Sequence, residues 1–77
     1  MFSAAIEGNQ KEIQKRLKKQ GKAAVNIKDK EQNQTVLHLC AEHNHLDLVQ
    51  ILIDRYKADV NAVDKNGWTP LHAAASK

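Results

Sequence analysis

The strongest constraint on how this chain folds is that it repeats itself at a nearly fixed period. Thr35-Val36-Leu37-His38 returns as Thr69-Pro70-Leu71-His72, 34 positions later. Just upstream, Ala23-Ala24-Val25-Asn26-Ile27-Lys28-Asp29-Lys30 returns as Ala58-Asp59-Val60-Asn61-Ala62-Val63-Asp64-Lys65, 35 positions later. A weaker match pairs Ala4-Ala5-Ile6-Glu7-Gly8 with Cys40-Ala41-Glu42-His43-Asn44 at an offset of 36. The same offset pairs Ile13 and Leu17 with Val49 and Ile53. A period of this size means one supersecondary unit used more than once. Such a unit buries its apolar face only by stacking on its neighbours.

Local patterns give each unit its parts. Leu46, Val49, Leu52 and Ile53 fall on one side of a helix, with Asp54 and Arg55 at its polar end. Ile13 and Leu17 predict a poorer version of that helix over about Gln10 to Gln20, ended by Gly21. A shorter helix is expected from Val36 to about His43. Thr35 is its N-cap, because its hydroxyl accepts a backbone N–H left unpaired in the first turn. In the next unit Thr69 caps and Pro70 takes the first helical position, where a missing N–H costs nothing. Gly8 and Asn44 sit between short and long helix, where a tight turn needs a left-handed backbone. Asn66-Gly67 and Asn33 mark the turns of the two connecting loops.

These residues resemble the ankyrin repeat, whose signature is Thr-Pro-Leu-His followed by Ala-Ala. Thr69-Pro70-Leu71-His72-Ala73-Ala74-Ala75 is a near-complete match. Leu37-His38-Leu39-Cys40-Ala41 matches with Val36 for proline and Cys40 for alanine. Residues 1–24 match less well, since the first unit lacks the Thr-Pro-Leu-His segment. A glycine is usual after the second helix, and Arg55-Tyr56-Lys57 stands in its place. The resemblance implies an all-α solenoid of helix-turn-helix units joined by extended, hairpin-like loops. It divides the chain into a degenerate repeat (1–26), a complete repeat (27–61) and a truncated repeat (62–77). Further repeats beyond Lys77 are expected, since nothing up to that residue covers Leu71, Ala74 and Ala75. Val25 and Val60 are expected to plug the layer between units. Leu37, Leu71, Val49, Leu52 and Ile53 are expected to form the core. The small residues Ala4, Ala5, Cys40, Ala41, Ala74 and Ala75 should let units stack closely.

Chemistry finds little footing. In the family the motif threonine and histidine share a hydrogen bond and the imidazole ties neighbouring loops together. His38 and His72 are therefore expected to be scaffold, and recurrence at one place in each unit agrees. Asp29 and Asp64 recur too and are expected to fix loops. His43 and His45 lack a carboxylate or thiolate partner, so they make a poor zinc site. Cys40 is the chain's one cysteine; it has no partner for an internal disulfide and reads as a buried alanine substitute. No glycine-rich phosphate loop is present. The expectation is a chain that is not an enzyme and holds no cofactor or metal. Hydrophobic residues are 42% and charged residues 27%, an ordinary globular balance. No apolar run approaches the ~20 residues that span a membrane, and residues 1–10 lack the pattern of a secretory signal. An intracellular, cytoplasmic location follows as an expectation.

Function is then expected on the surface. The resemblance implies a concave side lined by loop tips and short helices, with variable residues contacting a protein partner. In the middle unit these are Lys28, Lys30, Glu31, Gln34, Glu42 and His43. In the last they are Val63, Lys65, Asn66 and Trp68, with Ser76 and Lys77 beyond, and in the first unit Ile6 and Glu7. Trp68 is the one tryptophan of the chain, and Trp is enriched among binding hot spots. Its alternative is a ring laid flat on a neighbouring loop. A second reading makes the chain an accessory segment of a larger signalling, channel or enzyme polypeptide. The third concerns the basic run Lys11, Lys15, Arg16, Lys18, Lys19 and Lys22, which carries much of the net charge of +3. Its ordinary explanation is a solvated helix face; binding of nucleic acid or anionic lipid is the lesser one, and no nucleic-acid partner is expected.

Overall fold

The fold is taken from a computed structural model, which describes residues 2–75, apart from the side chains of Lys22 and Ala23. Five α-helices follow one another: α1 (Phe2–Glu7), α2 (Gln10–Gln20), α3 (Val36–Glu42), α4 (Leu46–Tyr56) and α5 (Pro70–Ala75). A 3₁₀ turn, Lys22–Asn26, follows α2. The short helices form a row in which α1 packs on α3 and α3 on α5. Each longer helix returns against its own short one, α2 on α1 and α4 on α3. Loops 27–35 and 57–69 link the units. This is the stacked helix-turn-helix arrangement that the repeat predicts, and among the described residues there is no strand.

The turns form as their residues dictate. Gly8 (φ 72°), Asn33 (φ 56°), Asn44 (φ 63°) and Gly67 (φ 78°) all take left-handed backbone. Gly8 also has a steric reason, since a Cβ there would lie 2.6 Å from Nδ1 of His45. The approach is that close because His45 Nε2 bonds the Ile6 carbonyl at 2.8 Å, locking the α1–α2 turn to the α3–α4 turn. Asn9 caps α2 through Glu12 N–H. Thr35 caps α3 in a full capping box with His38.

The core is one cluster running through the layers. Ile13, Leu17, Val25, Val36, Leu37, Cys40, Leu48 and Leu52 are all essentially inaccessible, with Ala4, Ala5, Leu39 and Tyr56 around them. Two expectations need correction. The buried face of α4 is Leu48, Leu52 and Tyr56, spaced i, i+4, i+8; Leu46 is 59% exposed, and Val49 and Ile53 are only partly buried. Val60 is 37% exposed and Leu71 71% exposed, so neither belongs to the core. In α5 it is Ala73 that is buried, while Ala74 is partly covered and Ala75 exposed. Leu46, Leu71, Ala74 and Ala75 border a shallow hollow with Ala41 and Asn44, while Val49 and Ile53 pack, partly buried, against the core cluster.

Arg55-Tyr56-Lys57 shows how α4 ends without its usual glycine. Tyr56 adds its ring to the core. Lys57 is forced left-handed (φ 53°, ψ 44°) so that the Ala58 N–H can reach the Leu52 carbonyl at 3.0 Å. A side chain at such a position costs about 1 kcal/mol. Lys57→Gly is therefore expected to raise the denaturation midpoint by the equivalent of about 0.5–1 kcal/mol, as urea unfolding followed by circular dichroism would measure.

Candidate functional site

The two loops that carry most of the sequence-derived contact residues are built alike. In the first, Asp29 Oδ1 accepts the N–H groups of Gln32 (2.9 Å) and Gln34 (3.2 Å), and the Asp29 N–H donates to the Gln34 carbonyl (2.9 Å). In the second, Asp64 Oδ1 accepts from Asn66 (2.8 Å) and Trp68 (3.0 Å), and the Asp64 N–H donates to the Trp68 carbonyl (2.9 Å). Each carboxylate thus holds a hairpin-like tip closed. The expected loop-fixing role of both aspartates is what the geometry gives.

The tips are also clipped to each other. The Lys65 N–H donates to the Gln32 carbonyl at 2.8 Å, and the Lys28 ammonium donates to the Val63 carbonyl at 2.7 Å. Beneath them lies His38, wholly buried. Its Nδ1 is 3.2 Å from the Thr35 N–H and 3.0 Å from Thr35 Oγ1, and its Nε2 is 2.8 Å from the Trp68 carbonyl. The Thr35 amide can only donate, so Nδ1 accepts and Nε2 carries the proton that reaches Trp68. One imidazole therefore joins the cap of α3 to the next loop. The same Thr–His bonds recur at Thr69 and His72, with 3.1 Å between Oγ1 and Nδ1, but His72 is exposed.

A groove results between the first tip, the last turn of α3, the second tip and α5. It is bordered by Gln32, Gln34, Glu42, Asp64, Asn66, Trp68 and Ala73. Gln34 Nε2 donates to Glu42 Oε2 at 3.3 Å across its floor. Trp68 is 45% exposed, while its backbone is committed on both sides to Asp64 and His38. Of the sequence-derived set, Gln34, Glu42, Asn66 and Trp68 come together here. Lys30, Glu31 and Lys65 stand exposed on the tips, and Val63 is exposed beside them. Lys28 is exposed too, with one ammonium proton already placed. His43 is exposed where α3 ends, away from the groove lining. Ile6 and Glu7 lie exposed on α1, and Ser76 and Lys77 are outside the described residues. Gln32 was not expected at the groove. Its place depends on the pairing with Lys65, and no local pattern announces that.

Cys40, the chain's one cysteine, is fully buried, with Sγ facing the Ala5 carbonyl at 3.9 Å. Burial pushes its thiol up from an ordinary 9.0 to about 12. A thiol that ionises at 9.0 when unfolded, but only near 12 when folded, favours the fold below pH 9.0, and the contribution is lost as pH rises from there towards 12. Iodoacetamide is expected to leave the native chain unlabelled at pH 8 and to label it fully in denaturant. Stability on this account should fall above about pH 9. Among the described residues no cluster of three or more His, Cys, Asp or Glu could hold a metal ion, and no helix is long and apolar enough to cross a membrane.

Comparison with known proteins adds the following. The family model for ankyrin repeats (3 copies) matches residues 1–77. The Notch-regulated ankyrin repeat-containing protein of Xenopus tropicalis is 32% identical over 77 residues, 97% of this chain and 67% of that protein. The probable 26S proteasome regulatory subunit p28 of Saccharomyces cerevisiae is 50% identical over 54 residues, 69% of this chain and 23% of that protein. Human NF-kappa-B inhibitor zeta is 43% identical over 56 residues, 70% of this chain and 8% of that protein.

Proposed function

The chain belongs to the ankyrin-repeat family, and on that premise we propose that it is a protein-interaction module, without catalysis of its own, whose partner seats in the groove beside Trp68. The observation that carries this reading is the pairing of a rigid frame with free side chains. Asp29, Asp64 and His38 fix the backbone of both tips, while the ring of Trp68 and the side chains of Asn66, Lys30 and Lys65 stay exposed. A pre-ordered surface binds without a further cost for ordering its loops. A half-exposed Trp beside polar groups that fix orientation has the make-up of a binding hot spot.

A second reading has its own observation. The hollow is bordered by Leu46, Leu71, Ala41, Ala74 and Ala75 with Asn44, and both leucines are exposed, as at the seat of another stacked repeat. The chain also covers only 23% and 8% of two of its relatives. On this reading the units 1–26, 27–61 and 62–77 are part of a longer array in a larger regulatory polypeptide. The two readings are compatible, since the groove and the hollow share no bordering residue.

The test is the affinity of a partner recovered with the tagged protein. Trp68→Ala is expected to weaken it by at least about thirtyfold, the equivalent of a hot-spot residue, with the helical circular dichroism unchanged. Unaltered affinity in a folded variant would rule the groove out as the contact surface.

A further inference from the structure

The charge of the protein is gathered on one helix. Helix α2 carries Lys11, Lys15, Arg16, Lys18 and Lys19 against a single carboxylate, Glu12. That local excess is larger than the net charge of +3 of the whole chain. The helix presents these cations outward, because its two apolar residues, Ile13 and Leu17, are the ones turned into the core. Lys11, Lys15 and Lys18 follow the i, i+4, i+7 spacing of one face. Lys15 stands between two shallow clefts, one bordered by Lys11, Gln14 and Lys18, the other by Glu12, Arg16, Lys19 and Gln20. Arg55 of α4 reaches the same edge, with Nη1 3.4 Å from Gln14 Oε1. This face is on α2, away from the groove, and owes nothing to the groove's role.

We propose that the outer face of α2 is a second docking surface, and that its partner is an acidic protein segment in extended conformation. Charge complementarity selects an anion, and three features select a protein. Ile13 and Leu17 are both buried, so α2 keeps no apolar side chain to sink into a bilayer. It has no aromatic residue on which bases could stack. The guanidiniums at this edge, the groups best shaped for bidentate phosphate binding, are both engaged: Arg16 Nε lies 2.8 Å from Glu12 Oε1, and Arg55 Nη1 lies 3.4 Å from Gln14 Oε1. What remains is a row of lysines that act as point charges. Along the helix they rise by about 4.5–6 Å from one to the next. Acidic side chains on alternate residues of an extended strand recur every ~6.6 Å, close enough for flexible lysines to meet them in turn.

The experiment is fluorescence anisotropy with a labelled decapeptide of alternating Glu and Ser, titrated with the full chain at about 25 mM salt and again at about 150 mM. A short DNA duplex and phosphatidylserine vesicles are the competing probes. Saturable peptide binding that weakens with salt is expected. Lys15→Glu/Lys18→Glu should weaken it by about tenfold or more, and Lys57→Glu/Asn61→Glu, exposed and on neither face, should leave it unchanged. Should the reversed pair fail to fold, Lys15→Gln/Lys18→Gln replaces it, with a smaller loss expected. Absence of saturable peptide binding at the lower salt would overturn the proposal. So would an equal loss in both pairs, or tighter binding of the duplex or the vesicles than of the peptide.

Discussion

Leu52→Ala is expected to cost about 3–5 kcal/mol in urea unfolding, the largest effect of any single truncation here. Leu52 is wholly inaccessible at the centre of the buried face of α4. Helix α4 packs on α3 and on the 3₁₀ turn, so the hole left by the three missing carbons cannot close by a local shift. A chain of this length has about 4–12 kcal/mol of stability in all, and one side of this stack has no layer against it. Much of the variant population should therefore be unfolded at physiological temperature, seen as lost helical circular dichroism. Leu46→Ala is the control: its side chain is 59% exposed on the same helix, and the change should cost under about 1 kcal/mol.

His38→Ala is expected to cost about 2–3 kcal/mol and to loosen the groove. The change strands the Thr35 N–H in a buried site and removes the bond to the Trp68 carbonyl. His72→Ala removes the same Thr–His contacts where the site is exposed, so water replaces the lost partner and the cost should be under about 1 kcal/mol. The pair is informative because the Thr–His geometry is matched, while His38 alone is buried and bonded to the Trp68 carbonyl. Hydrogen exchange reads the second part of the prediction. In His38→Ala the amides of Asn66, Gly67 and Trp68 should lose protection beyond the global change, and in His72→Ala they should not. Equal costs at the two positions would mean that the imidazole serves only its own helix cap and does not tie one loop to the next.

Most of what could be read from the sequence is chemistry that closes within a few residues. The Thr35 cap, the Asp29 and Asp64 loop locks, and the left-handed turns at Gly8, Asn33, Asn44 and Gly67 each need only three to five residues to be recognised. The repeat itself added the links between layers, because a histidine that recurs in register has to serve the stack. The buried face of α4 was not legible. Leu46, Leu48, Val49, Ile51, Leu52 and Ile53 are apolar nearly all round the helix, so periodicity supports two faces and only the neighbouring layers choose. Val60 and Leu71 were misplaced for the same reason: their burial is a property of whatever stacks on them. Left-handed Lys57 gave no sign, since lysine has no preference for that backbone and is held there by the end of α4. At the groove, Gln34, Glu42, Asn66 and Trp68 were reached through the family's pattern. Gln32 enters through a backbone pairing with Lys65 across 33 positions.

The central claim is that a partner protein contacts the groove between the two loop tips. A photo-cross-linking residue at Asn66, on the second tip, tests it against the same residue at Gln50, exposed on α4. Irradiation in the cells that make the protein should yield a discrete higher-mass adduct from position 66 and none from position 50. An adduct from position 50 with none from position 66 would contradict the account.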